Sequence, residues 1–123
     1  ILNTYSRTPA LLAQTAAGLD ALSGGRFTLG LGASGPQVIE GFHGVPYDRP
    51  LTRMKEIIQI CRSAWRRERL EHEGRVFTLP LPADQGTGLG KPLKIINHLK
   101  RSNIPIYIAA LGQKSVEETA ATC

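Results

Sequence analysis

Helical patterns and short apolar runs alternate along this chain, and this alternation restricts its possible folds more than any other feature of the sequence. The helical patterns cover Pro9–Leu22 and Leu51–Leu70, and the apolar runs cover Arg26–Gly32 and Ile104–Ala109. Strands that alternate with helices are typical of parallel sheets with right-handed crossover connections. We therefore expect an α/β fold with parallel strands, in which Ile1 lies in the end of a further strand. These strands are too few to close an eight-stranded barrel by themselves.

The first helical pattern has a clear signal at each end. Thr8 is a typical N-cap residue, and Pro9 suits the first helical position. The helix should end at Ser23-Gly24-Gly25, because glycine readily adopts the left-handed conformation that follows many helices. By helical spacing, we expect its apolar face to consist of Leu12, Thr15, Ala16, Leu19 and Leu22.

The second helical pattern combines an apolar stripe with arginine and glutamate residues on the opposite face. The stripe consists of Met54, Ile57, Ile58, Cys61 and Trp65. Beyond this helix, Glu73–Leu79 is predicted to be extended, and Pro80–Pro92 is too rich in glycine and proline to be regular. Gly112 marks the turn into a last helix.

The chain carries a formal net charge of +5, and its arginines are concentrated between Arg53 and Arg69. A solvated helix face is the favoured interpretation, because aromatic residues of the stacking kind do not interleave with these charges. The alternative is a nucleic-acid-binding module in which Arg62, Arg66 and Arg67 contact phosphates. The favoured interpretation predicts no nucleic-acid partner.

Other composition signals point to an ordinary intracellular protein. The chain has no run of ~18 apolar residues and no secretory signal, so we expect no membrane contact and a cytoplasmic location. Cys61 and Cys123 show no metal or CxxC spacing. We therefore expect reduced thiols and no metal site.

Ligands of parallel α/β folds bind where the strands end and the following loops begin. That rule selects Ile1–Arg7, Gly30–Pro50 and Ala109–Lys114. The second segment opens with three glycines and two small residues, and so bare a backbone lets a planar ring or a phosphate approach closely. It fails as a dinucleotide fingerprint, because Gly35-Pro36 and a long connection should delay any helix.

The titratable residues near these strand ends have alternative interpretations. His43 is more often a hydrogen-bonding residue than a catalyst at such a position. Asp48, Arg49 and Arg53 form either a salt-bridged helix cap or a phosphate clamp, and the cap is favoured.

Elsewhere in the chain, chemistry-bearing residues are sparse. Asp20 and Arg26 bracket a turn and are expected to pair, whereas His72 and His98 lie in segments expected to be exposed. Because no nucleophile pair, paired carboxylates or metal-ligand cluster is present, a cofactor is expected to supply the chemistry.

Several motifs together resemble the luciferase-like monooxygenase superfamily, in its coenzyme F420-dependent branch. The motifs are Arg7–Gln14, Leu19–Phe27, Leu29–Gly32, Ser34–Pro50, Leu79–Pro82, Gly88–Lys94 and Ile104–Gly112. This resemblance covers nearly the whole chain. It implies that residues 1–123 are an incomplete TIM (β/α)8 barrel, a central fragment from the end of the third strand to the fifth helix. The abrupt start at Ile1 and the short last helix agree with a fragment.

The resemblance also implies a cofactor site along the strand ends. Gly32, Ala33 and Ser34 match the loop that packs on the deazaflavin ring, and Gln37 or Val38 falls where a polar side chain often meets the cofactor. The full set of predicted cofactor-binding residues is Ile1, Asn3, Gly32, Ala33, Ser34, Val38, Ala110, Leu111 and Gly112. Leu111 departs from the glycine pair that relatives carry. The catalytic residues stay unknown, because the family's acid–base residues lie largely outside this chain.

The implied reaction is hydride transfer between coenzyme F420 and a small organic substrate. An FMN-dependent monooxygenase is the alternative, because FMN needs the same rim of small residues. A third interpretation is a non-catalytic fragment that self-associates through its open strand edges, and we expect a homo-oligomer.

Overall fold

The computed structural model describes residues 1–123 as an α/β fold. Its helices are α1 (Pro9–Leu22), α2 (Pro36–Gly41), α3 (Pro50–Trp65) and α4 (Gln113–Thr122), with a 3₁₀ turn at Ala83–Gln85. Its strands are β1 (Leu2–Asn3), β2 (Leu29–Gly32), β3 (His72–Glu73), β4 (Thr78–Leu79) and β5 (Ile106–Ile108). No helix is both long and apolar enough to cross a membrane.

The main sheet confirms the predicted parallel strands. β1 and β5 both pair in parallel with the central β2, in the order β1-β2-β5. The strands are shorter than the apolar runs suggested, because pairing begins only at Leu29 and Ile106. Helices α1 and α3 separate the strands in the chain, so the alternation of helix and strand matches an incomplete barrel.

One apolar core lies between the sheet and helices α1 and α3. Leu29, Leu31 and Ile106 of the sheet are buried against these helices. The opposite face of the sheet is largely uncovered, since Ile1 is 87% and Tyr107 72% exposed.

The predicted stripe on α3 is confirmed, because Met54, Ile57, Ile58, Cys61 and Trp65 are all buried. The stripe predicted for α1 was only partly right. Leu19 and Leu22 are exposed, whereas Ala13, Ala17 and Asp20 are buried with Leu12 and Ala16. Small side chains let α3 approach α1 closely, so alanines form the contact face where leucines were expected.

Asp20 is a fully buried carboxylate that ties three segments together. It accepts a hydrogen bond from the backbone N–H of Phe27, and the Arg101 guanidinium binds both of its oxygens. Arg101 also donates to the Phe27 carbonyl. The Arg101 hydrogen bond outweighs burial and holds the pKa of Asp20 below its usual range. The predicted pairing of Asp20 with Arg26 was wrong, because Arg26 donates to the Ser23 carbonyl instead.

A second buried carboxylate, Glu56 of α3, holds the antiparallel hairpin β3–β4. Its oxygens accept hydrogen bonds from the backbone N–H groups of Arg75, Val76 and Phe77 at 2.7–3.3 Å. His72 lies 3.4 Å from Glu56 and is largely buried, with a side chain 16% exposed, so its predicted exposure was wrong. Helix α3 ends at Trp65, five residues before the predicted Leu70, and the chain then runs into this hairpin.

Replacing Asp20 by asparagine should lower the free energy of unfolding by about 2–4 kcal/mol, because Arg101 would keep its charge beside a neutral group in a buried site. The measurement is urea denaturation of the full-length protein. Glu68→Gln is the control, since Glu68 pairs with Arg66 on the surface and its loss should leave the midpoint nearly unchanged. Equal shifts for both variants would contradict the structural role of Asp20.

Acid should weaken the hairpin through Glu56. Burial raises the pKa of Glu56, but hydrogen bonds from Phe77, Arg75, Val76 and His72 together hold it below its ordinary value of 4.5. A carboxyl with a lowered folded-state pKa stabilises the fold above its unfolded-state pKa. That contribution disappears as the pH falls through the folded-state pKa.

Glu56→Gln should therefore cost roughly 1.5–3 kcal/mol at neutral pH, and the difference from the unsubstituted protein should shrink as the pH falls below about 4.5. The measurement is urea denaturation of both proteins from neutral pH to below about 4.5, which gives the difference in their free energies of unfolding. Glu73→Gln, at an exposed position in the same hairpin, should show a small difference that does not change with pH. A Glu56→Gln deficit that is constant with pH would contradict the assignment.

Candidate functional site

A groove of about 650 Å³ lies at the carboxyl ends of β1, β2 and β5. These three ends meet at one edge of the sheet because the strands are parallel. The lining residues are Ile1, Asn3, Gly32, Ala33, Ser34, Tyr47, Pro50, Leu51, Ala109, Leu111, Gly112 and Ser115. None of these side chains is charged, so the groove suits a flat, neutral group more than a phosphate.

The structure brings most of the predicted cofactor-binding residues together in this groove. Val38 and Ala110 are absent from its lining. Val38 lies on α2 and is 46% exposed. Because these two residues lie outside the groove, their predicted contact with a cofactor has no support from its geometry.

The turn after β2 is held in an unusual backbone conformation. Ser34 has a φ of +58°, in the left-handed region. Gly35 is extended, and α2 begins at once with Pro36 as its first residue. The predicted delay of any helix was therefore wrong: Pro36 lacks only an N–H that the first helical turn leaves unpaired anyway. Helix α2 has six residues, and a loop then leads to α3.

Asn3 shapes the rim at the end of β1. Its side-chain oxygen accepts hydrogen bonds from the backbone N–H groups of Tyr5 and Ser6, at 3.0 and 2.8 Å. Its amide nitrogen lies 3.3 Å from Nε2 of His43. The contact with His43 agrees with the hydrogen-bonding interpretation of that residue. Because both the oxygen and the nitrogen of the Asn3 amide already have partners, little of its hydrogen-bonding capacity is left for a ligand.

Gly32 lies where the strand ends come closest. A Cβ at this position would lie 3.2 Å from Cγ2 of Ile1 and 3.5 Å from Cβ of Ala109. The absence of a side chain therefore allows three strand ends to share a shallow floor. Gly32 lines the groove, as do most of the other predicted residues, and its contact with a cofactor stays a prediction.

The rim after β5 is the most open part of the groove. Leu111 is fully exposed, and a Cβ added to Gly112 would meet no atom within 4 Å. Gly112 is also the N-cap of α4 and offers no capping side chain. A ligand in the groove would thus find free space beside Gly112.

Asp48 and Arg53 form a salt bridge at 3.4 Å beside the start of α3. Neither residue lines the groove, which does not support a phosphate clamp there. The predicted ion pair is present, but the predicted cap is not, because the N-cap of α3 is Arg49 and no side chain bonds to the first turn. Arg49 points elsewhere and donates to the Arg75 carbonyl. No group of three or more His, Cys, Asp or Glu residues could hold a metal ion.

Five groove residues were not among the named cofactor-binding residues: Tyr47, Pro50 and Ala109 lie within the predicted loop segments, whereas Leu51 and Ser115 lie outside them. Tyr47 reaches the groove because its hydroxyl donates to the Ser34 carbonyl at 3.3 Å. Leu51 and Ser115 come from the first turns of α3 and α4. The available signal was their position directly after a strand-to-helix connection, which places a residue near the same edge of the sheet.

A neutral groove of small residues at the carboxyl ends of parallel strands defines a class of α/β proteins that bind small molecules at that edge. The family model described as luciferase-like monooxygenase matches residues 1–123. The chain belongs to this family, as its sequence motifs predicted.

Related proteins carry names that concern coenzyme F420 or a reductase. A Mycobacterium tuberculosis protein, assigned by its name to the coenzyme F420-dependent oxidoreductases, is 46% identical over 100% of this chain and 36% of its own length. A 5,10-methylenetetrahydromethanopterin reductase from Archaeoglobus fulgidus is 32% identical over 98% of this chain and 32% of its own length. An F420-dependent glucose-6-phosphate dehydrogenase from Rhodococcus erythropolis is 29% identical over 89% of this chain and 30% of its own length. The chain thus spans about a third of the length of these relatives.

Proposed function

We propose that this chain is part of an F420-dependent oxidoreductase that transfers a hydride between the deazaflavin and a small organic substrate. The observation that carries the proposal is the uncharged groove at the ends of three parallel strands, in a family whose relatives are named for F420 dependence. We further propose that residues 1–123 run from the end of the third strand to the fifth helix of a (β/α)8 barrel. The uncovered face of the sheet and the open edges of β1 and β5 support this placement.

The groove residues fit the flat part of a deazaflavin. Gly32 and Ala33 would form the floor under the ring, and Gly112 would leave room for its edge. When bound, the deazaflavin supplies two-electron hydride chemistry. The residues of this chain would orient the ring, and Leu111 and Tyr47 would limit the access of water to it. No basic residue lines the groove, so the charged tail of the cofactor would lie elsewhere.

Two alternatives rest on the same structure. FMN needs a similar floor and is the second candidate cofactor. A non-catalytic role through self-association is the third possibility, because both outer strands present unpaired backbone groups. A homo-oligomer built on those edges would persist in sedimentation experiments whether or not a cofactor is added.

The test is a fluorescence titration of F420 and, separately, FMN into the full-length protein and its Gly112→Val variant. A Cβ added at Gly112 meets no protein atom within 4 Å, so a loss of affinity in this variant indicates contact between the added side chain and the ligand. We expect saturable F420 binding that is weakened about tenfold or more by Gly112→Val, about 1.4 kcal/mol or more of binding free energy.

Gly41→Val is the matched control, since a Cβ there also meets nothing within 4 Å and Gly41 lies outside the groove. It should bind F420 as the unsubstituted protein does. Tight FMN binding without F420 binding would replace the first candidate with the second. Binding of neither cofactor would overturn the oxidoreductase proposal.

A further inference from the structure

Arg53 of α3 lies in an aromatic stack that the proposed reaction does not use. Its guanidinium carbon is 4.3 Å from the ring centre of Tyr5 and 5.3 Å from that of Phe77. The side chain is only 15% exposed, and its Nε is buried without a hydrogen-bond partner in the protein. A planar cation held between two rings gains attraction from both of them, more so when it is removed from water.

The stack continues towards the groove. Tyr5 is buried, and its ring stacks on Tyr47 with ring centres 5.2 Å apart and an angle of 30°. The Tyr5 hydroxyl donates to the Asp48 carbonyl at 2.7 Å, which fixes the direction of the ring. Tyr47 is held at its other end, where its backbone N–H donates to Glu40 at 3.0 Å.

The last member of the stack touches the turn that forms the groove wall. Tyr47 donates from its hydroxyl to the carbonyl of Ser34. Ser34 is exposed and left-handed in its backbone, and a non-glycine residue keeps such a strained conformation only when neighbouring groups fix it. The Tyr47 hydroxyl is such a group, because it binds the carbonyl of the strained residue itself.

At its opposite end the stack begins on the β3–β4 hairpin. Phe77 belongs to the segment whose backbone N–H groups Glu56 binds. Four separate segments therefore meet along one line of side chains: the hairpin, α3, the loop after β1 and the loop before α3. The groove wall at Ser34 is where this line ends.

We propose that Arg53 is a positioning residue that, clamped between Phe77 and Tyr5, fixes the Ser34 turn through Tyr47 and so couples the β3–β4 hairpin to the groove. Arg53 does not line the groove itself and acts through the two tyrosines. The fixing of the turn is independent of any ligand. Its effect on cofactor affinity rests on the proposed function.

The first measurement is hydrogen exchange of the backbone amides in residues 33–38 of the full-length protein, without ligand. Arg53→Lys keeps the positive charge but loses the planar group that stacks on both rings. We expect exchange in this segment to become about fivefold to tenfold faster, while the amides of β2 stay unchanged. Phe77→Leu should produce the same local change from the hairpin side.

Arg66→Lys is the matched control, because Arg66 lies on the surface at the end of α3 and pairs with Glu68. It should leave exchange in residues 33–38 unchanged. Unchanged exchange in Arg53→Lys would overturn the proposal. So would acceleration spread evenly over α1, α3 and the sheet, since that indicates a general loss of stability.

The second measurement tests, with cofactor bound, whether Arg53 acts on the groove through the hydrogen bond from Tyr47 to Ser34. Tyr47→Phe removes the hydroxyl that binds Ser34, and the F420 dissociation constant is measured for both single variants and the double variant. We expect Arg53→Lys to raise this constant about fivefold alone, but hardly at all when Tyr47→Phe is present, because both act through one contact. Additive effects would overturn the coupling through Tyr47.

The two proposals fail differently. If the full-length protein binds no F420, the proposed function is wrong, yet the hydrogen-exchange result still decides whether Arg53 fixes the turn. If F420 binds but Arg53→Lys changes neither exchange nor affinity, the positioning proposal alone is wrong.

Discussion

The close contact of α1 with α3 on one side of the parallel sheet is the interaction on which the rest of the structure depends. Alanines on α1 allow the helices to approach, and the Trp65 indole N–H donates to the Ala13 carbonyl at 3.0 Å across the contact. Leu29 and Leu31 of the central strand are buried beneath the pair. With both helices on one face, the three strand ends are aligned at one edge, and the groove follows from that alignment.

Two buried carboxylates join segments of the chain that the apolar core does not hold together. Asp20 joins the end of α1 to the entry of β2 and to Arg101 before β5, and Glu56 joins α3 to the hairpin. Both carboxylates are charged groups that are almost removed from water, so each depends on several donors. Such groups contribute geometric precision to connections that would otherwise be long surface loops.

The groove is neutral, because no charged side chain lines it. A neutral floor that includes glycine and alanine favours contact through the face of a flat group over contact with a charged one. The aromatic stack from Phe77 to Tyr47 adds a connection between this floor and the hairpin.

Local signals in the sequence determined the main elements. The order of α1, α3 and the parallel strands follows from the cap at Thr8, the stripe on α3 and the apolar runs. The glycines at the end of β2 marked the position of the groove. These signals are local because capping and periodicity depend on neighbouring residues. Only the tertiary structure decided that Asp20 pairs with Arg101, 81 residues away, rather than with nearby Arg26. It also decided that Tyr47 lines the groove. Which arginine reaches a buried carboxylate, or which tyrosine reaches the groove, depends on the path of the whole chain. Local sequence patterns fit many arginines and tyrosines equally well, so they cannot identify the partner.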